Sequence, residues 1–189
     1  MNTALNRLNA VTAMATSTLL CLVAVIALIS YPSHHPTGSV AIQKLEVVSG
    51  RAQWHMDRRL QDYVKVNFNI DADFSSLFNW NTKQIFLSLT ADYDSKAHAH
   101  NQAVVWDRII RDKSDAKVKV QDGMNKYGFR EVSKSFDNIN STTFILKWNV
   151  MPKVGILAYG DEAHTGSVEV PKKVVGEDGQ RIKPEKMWY

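Results

Sequence analysis

Two hydrophobic patterns divide this chain. From Ala10 to Ile29 every residue is apolar or small and hydroxyl-bearing, and no Asp, Glu, Lys or Arg occurs between Leu8 and Gln43. A helix rises about 1.5 Å per residue, so this run reaches roughly 30 Å, the thickness of a bilayer's hydrocarbon core. After residue 39 the pattern changes to strict alternation, the period of half-buried strands. Val64, Val66, Phe68, Ile70, Ala72 and Phe74 fall on one face, and Lys65, Asn67, Asn69, Asp71 and Asp73 on the other. Ile85, Leu87, Leu89, Ala91 and Tyr93 repeat the pattern, as do Phe144, Leu146, Trp148 and Val150. The segment 102–111 is apolar on both faces and predicts a central strand. Val40–Val48, Val118–Val120, Gly155–Tyr159 and Ser167–Val170 bring the expectation to about eight strands.

Turn chemistry separates these runs: Phe78–Asn81, Ser95–Asn101, Asp112–Asp115, Asp122-Gly123, Asp137–Asn140 and Tyr159–Asp161. Short strands at such spacing predict an all-β head, a β-sandwich, behind a single N-terminal helix. A helical turn is expected only within Ser49–Gln61. The resulting division is a stub over 1–9, a transmembrane signal-anchor helix over 10–30, a β-sandwich over 31–170 and a loose tail over 171–189.

The apolar run has a competing reading, a cleaved signal peptide. Arg7 supplies the basic start, Leu19–Ile29 a short apolar core, and Val25-Ile26-Ala27 a small-residue cleavage site. The lead-in from Ala10 to Thr18 makes the whole length suit a span better. Arg7 precedes the helix without an acid beside it, and the next basic residue is Lys44. The positive-inside tendency then puts the N-terminus in the cytosol and the head in a lumen.

Charge and composition narrow the function. The net charge of +4 is spread along the chain without a run of like charges, unlike a nucleic-acid surface. The one cysteine, Cys21, lies within the apolar run, so the head has neither disulfide nor thiol chemistry. Gly38-Ser39-Val40 and Gly166-Ser167-Val168 lack the Gly-x-Ser-x-Gly frame of a hydrolase nucleophile. His98-Ala99-His100 pairs two imidazoles, but no third ligand stands at a metal-site spacing. His34-His35 reads as a polar linker, and the five tryptophans as packing residues. No catalytic residue, metal site or cofactor is predicted. Asn140-Ser141-Thr142 is the single N-x-S/T sequon, a glycan acceptor only if the following strand starts after Asn140.

Two blocks together resemble the subunit 3 family of the eukaryotic ER signal peptidase complex. The first holds Phe78-Asn79-Trp80-Asn81, Lys83-Gln84-Ile85-Phe86-Leu87, Asn101-Gln102 and Val105-Trp106-Asp107. The second holds Asn140-Ser141-Thr142, Trp148-Asn149-Val150-Met151-Pro152 and Gly155-Ile156-Leu157. The resemblance implies an uncleaved signal-anchor, a cytosolic N-terminus and a lumenal β-sandwich glycosylated at Asn140. It further implies an ER-membrane subunit without catalytic residues or cofactors. Its partners would be the catalytic serine peptidase subunit and the other membrane subunits, with nascent secretory chains engaged indirectly and no nucleic acid. Phe78 and Trp80 are the candidate partner interface, the alternative being that they close the end of the core. The competing class is a secreted or membrane-anchored β-sandwich binding protein with no enzymatic role.

Overall fold

The computed structural model describes residues 3–32, 35–50, 60–96 and 98–172. Helix α1 spans Ala4–Ile29, with Thr3 as its N-cap accepting from the Asn6 amide. It therefore takes in most of the predicted N-terminal stub and begins before the uncharged run. None of its residues is buried, although Leu5, Leu19, Leu22, Val25, Leu28 and Ile29 are all large and apolar. The hydroxyls inside it are internally satisfied: Thr16 donates to the Thr12 carbonyl (2.8 Å), Ser17 to Ala13 (2.9 Å) and Thr18 to Met14 (2.9 Å). Back-bonding of this kind lets hydroxyl side chains sit on a helix surrounded by hydrocarbon without an orphaned donor.

Eight strands follow among the described residues: β1 (Thr37–Gly50), β2 (Gln61–Asp73), β3 (Thr82–Tyr93), β4 (Asn101–Ile110), β5 (Lys117–Met124), β6 (Ser141–Pro152), β7 (Ala158–His164) and β8 (Val168–Glu169). They form two antiparallel sheets. One runs β1-β2-β5 and the other β4-β3-β6-β7, with β8 paired to the start of β6. The faces predicted from alternation meet between the sheets. Val66, Phe68 and Phe74 from β2 and its end, Ile85, Leu87 and Leu89 from β3, and Phe144 and Leu146 from β6 are fully buried in one core. Phe129 and Phe136, from the segment between β5 and β6, join Tyr93 at one end, their rings 5.2–6.4 Å apart. That segment has no period-two pattern, and nothing local in the sequence predicts its aromatic plug.

Four expectations need correction. Segment 102–111 is not central: among the described residues β4 pairs with β3 alone and forms a sheet edge. Its inner residues Val105, Trp106 and Ile110 are buried, while Val104 and Ile109 remain nearly half exposed, so two apolar faces here reflect one core face and one open face. Asp122-Gly123 is not a turn but an irregularity within β5, where Asp122 takes a φ of 51° and the pairing with β2 shifts register. Tyr159-Gly160-Asp161 lies inside β7, because a Cβ on Gly160 would stand 2.3 Å from the Trp148 ring and only glycine admits that indole. Finally, the strand expected from Gly155 begins at Ala158, since Gly155 has a φ of +114°. The expected helical turn falls largely on 51–59, and the tail mostly on 173–189, both outside the described residues.

Candidate functional site: the helix–sandwich junction

The loop between β2 and β3 is built around two asparagines. Just before the one-turn 3-10 helix Ser75–Leu77, Asp73 accepts from the Ser75 amide at 2.8 Å, and hydrogen bonding from the Ser75 side chain together with that amide holds its carboxyl below the usual value. The chain then turns at Asn79, whose side-chain oxygen accepts from the Asn81 amide at 2.9 Å, an Asx-turn that throws Trp80 outward. Thr82 locks the base of this loop, donating its hydroxyl to the Leu77 carbonyl (2.9 Å) and accepting from the Asn79 amide (3.1 Å).

The side chains of both asparagines reach the end of α1. Asn79 Nδ2 donates to the Ser30 carbonyl at 2.8 Å, and Asn81 Nδ2 to Ser30 Oγ at 2.6 Å. Ser30 Oγ in turn donates to the Ile26 carbonyl at 2.6 Å, closing the last helical turn. Asn81, only 1% exposed, also bonds Val154 twice: Nδ2 donates to its carbonyl (2.7 Å) and Oδ1 accepts from its amide (3.0 Å). The Lys153 amide adds a bond to the Asn81 carbonyl at 2.7 Å. One buried amide thus joins three segments: the helix terminus, the β2–β3 loop and the β6–β7 loop. Gly155 brings the last of these against the helix, where an added Cβ would stand 2.9 Å from Ala27 Cβ.

These bonds tie the helix terminus to the sandwich directly at Ser30. Every polar atom of the Asn81 amide is used, and a buried polar group that loses its partners costs about 1–3 kcal/mol. The sandwich is therefore held at a set height and tilt on α1. The arrangement fixes one folded body relative to a helix.

The residues singled out from sequence divide around this site. Phe78 is half-buried against the core, whereas Trp80 is 63% exposed at the loop tip, with Lys153 Nζ donating to its carbonyl at 3.2 Å. Asn140 is exposed in the loop before β6, which starts at Ser141, so the sequon asparagine stands off the core face as glycan attachment requires. Its carbonyl accepts from the Val170 amide at 2.9 Å, and the Thr142 hydroxyl donates to the Asp92 carbonyl at 3.1 Å. Asn140 occupies the pole away from α1, because β6 runs the length of the sandwich from Ser141 to Pro152, about 36 Å. His98 and His100 lie in the β3–β4 loop at that same pole, where the His100 amide donates to Asp94 at 2.8 Å. Among the described residues no group of three or more His, Cys, Asp or Glu is placed to hold a metal ion. His35 is exposed beside the junction, its carbonyl accepting from Ser76 Oγ at 3.4 Å; His34 lies outside the described residues.

A buried acid with no sequence signal lies at the far end of the core. Glu131 is 4% exposed and accepts from the Tyr93 hydroxyl at 2.6 Å, and burial together with that carboxylate pushes the phenol far above its ordinary range. This pair braces the aromatic plug at the far end of the core. The asparagines and Ser30 had a faint signal: two Asn at i and i+2 beside Trp80, and a serine at the end of an apolar run.

Comparison with known proteins now adds to this geometry. A family model described as signal peptidase subunit matches residues 1–173. Signal peptidase complex subunit 3 of Yarrowia lipolytica is 43% identical over 116 residues, covering 60% of this chain and 62% of the relative. The Saccharomyces cerevisiae protein of the same name is 37% identical over 118 residues, covering 61% of this chain and 64% of the relative. That of Gallus gallus is 32% identical over 163 residues, covering 83% and 87%. The first of these matches thus span a little under two thirds of the relatives' own length. With a family match running from the apolar helix through the last described strand, the chain belongs to the signal peptidase subunit family.

Proposed function

We propose that this protein is a non-catalytic, accessory subunit 3 of the signal peptidase complex. Its α1 spans the ER membrane with the N-terminus in the cytosol, and its β-sandwich stands in the lumen beside the catalytic serine peptidase subunit and the other membrane subunits. It acts on nascent secretory chains only through them, by holding the catalytic domain at the height and tilt that signal-peptide cleavage needs. Misplacement of a reacting group by about 1 Å can cost on the order of 10²-fold in rate, so positioning alone is a sufficient role.

The observation that carries this reading is the Asn79–Asn81–Ser30 clamp, which makes the membrane helix and the sandwich one unit. Further support comes from the family match and from the unburied apolar helix. Arg7 before that helix, without an acid nearby, supports the orientation. The exposed Asn140 at the far pole suits a lumenal glycan, and Trp80 on its projecting loop suits a contact outside the fold.

The test is the double variant Asn79→Ala/Asn81→Ala in the reconstituted complex. Signal-peptide cleavage should fall by about tenfold or more while the subunit still co-purifies, because the clamp sets position rather than affinity. Endoglycosidase treatment of the natural chain and of Asn140→Gln reports the topology in the same material, as a mobility shift in the first alone. Undiminished cleavage when the chain is omitted, or peptide hydrolysis by the purified chain unaided, would overturn the assignment.

A further inference from the structure

The pole of the sandwich that carries α1 is apolar where it need not be for folding. Trp80 is 63% exposed, Ile156 70%, Leu157 47% and Tyr31 53%. They surround one feature. Trp80 sits between the two asparagines that grip Ser30, Tyr31 follows Ser30, and Ile156 and Leu157 follow the Gly155 that packs on Ala27. This apolar surface continues directly from the unburied side chains of Leu28 and Ile29 at the end of α1. The segments forming it, 26–32, 78–83 and 153–157, contain no acid; their charged residues are Lys83 and Lys153, both exposed.

We propose that this pole is itself a lipid-binding surface: Trp80, Ile156 and Leu157 lie in the interfacial layer of the bilayer around α1, with Lys83 and Lys153 at the level of the lipid phosphates. The inference rests on the reading of α1 as a membrane span and goes beyond it, because a spanning helix could equally carry its head clear of the surface on a linker. Here the clamp removes that freedom. The uncharged part of α1, Leu8–Ile29, is about 33 Å long, close to the roughly 30 Å of hydrocarbon, so its last residue reaches the headgroup boundary. The sandwich is pinned at Ser30, one residue later. The β6–β7 loop touches Ala27, about 4.5 Å deeper along the helix axis. Side chains projecting from these two loops therefore meet lipid, where Trp, Tyr and Lys are the residues that sit well at the boundary. A protein partner at this site would displace lipid from the base of the helix, and is the alternative that the experiment separates.

The full-length chain, with Cys21→Ser as background, is given one nitroxide-labelled cysteine at a time: Ile156→Cys or Leu157→Cys at this pole, Val23→Cys within α1, and Asn138→Cys at the far pole. Each is reconstituted in phosphatidylcholine/phosphatidylserine vesicles, and collision rates with oxygen and with a water-soluble nickel chelate are measured. Ile156 and Leu157 are surface residues, so these changes leave the core intact. Labels at 156 and 157 should fall between those at 23 and 138, with severalfold higher oxygen-to-nickel ratios than the label at 138. Labels at 156 and 157 as wet as that at 138, with 23 still in lipid, would overturn the lipid surface and leave the span standing. A wet label at 23 would overturn both. Protection at 156 and 157 that arises only on adding the other complex subunits would assign the patch to a protein and end the proposal.

Discussion

Asn81 shows how a single polar side chain acquires a large structural role when it is buried with every hydrogen-bonding atom matched. A different outcome of burial is seen at Glu162 on β7, which lies where the edge of β1 crosses the second sheet. Burial raises its carboxyl above the ordinary value of 4.5, and the Gly38 amide and His35 only partly offset this. The charged form is thus penalised in the folded protein. The resulting cost is absent while the carboxyl is protonated in both states and grows as pH rises through the folded value. Glu162→Gln should accordingly melt at a higher temperature than the natural chain at pH 8 and at the same temperature at pH 4, as read by thermal unfolding in detergent. An advantage at pH 4 equal to that at pH 8 would mean that the gain is not electrostatic. Trp80 and Phe78 differ at this same scale. They are two positions apart, yet one closes the core and the other projects from an Asx-turn, a distinction their residue types do not encode.

Among the elements, β6 organises the head, pairing with β3 on one side and with β7 and β8 on the other. Its Trp148 is nearly buried, and the indole lies over Gly160 of β7 so closely that no side chain fits there. Gly160→Ala should destabilise the sandwich by about 1–3 kcal/mol, the usual cost of overpacking a filled site. Adding Trp148→Phe should recover part of that loss, so a double-mutant cycle in urea would show a coupling of about 1 kcal/mol or more. Strictly additive losses would place the strain elsewhere. This contact also explains why a Tyr-Gly-Asp sequence with every mark of a turn runs on as strand. Edge strand β4 illustrates the converse: a sequence apolar on both faces predicts a central strand, yet among the described residues β4 pairs with β3 alone.

For the whole molecule, the decisive property is that helix and sandwich share one hydrogen-bonded joint. A flexible linker of about six Gly and Ser residues inserted between Ile29 and Ser30 would leave both folded and both attached, but would let them move over roughly 12–15 Å relative to each other. If the protein works by positioning, signal-peptide processing by the assembled complex should drop with the linker while the thermal stability of the head is unchanged. Processing at the natural rate would show that tethering is enough.

Local periodicity carries a great deal here. Alternation at residues 64–74, 85–93 and 144–150 identified the buried faces, because a strand's side chains alternate whatever its neighbours are. The long apolar run likewise identified a helix able to cross a membrane, since length and lack of charge suffice for that. Two blocks of family-specific residues were enough to point to the subunit family. Contacts between residues distant in the chain left no such trace. Ser30, Asn81 and Val154 converge from three separate segments, and a hydrogen bond across 51 or 73 residues has no period to betray it. The same is true of Phe129 against Tyr93, Glu131 under the Tyr93 hydroxyl, and Gly160 beneath Trp148. The order of residues determined which faces are greasy and which segment can enter a bilayer. Only the folded chain decided how the two are joined, because that depends on which side chains arrive at one point in space.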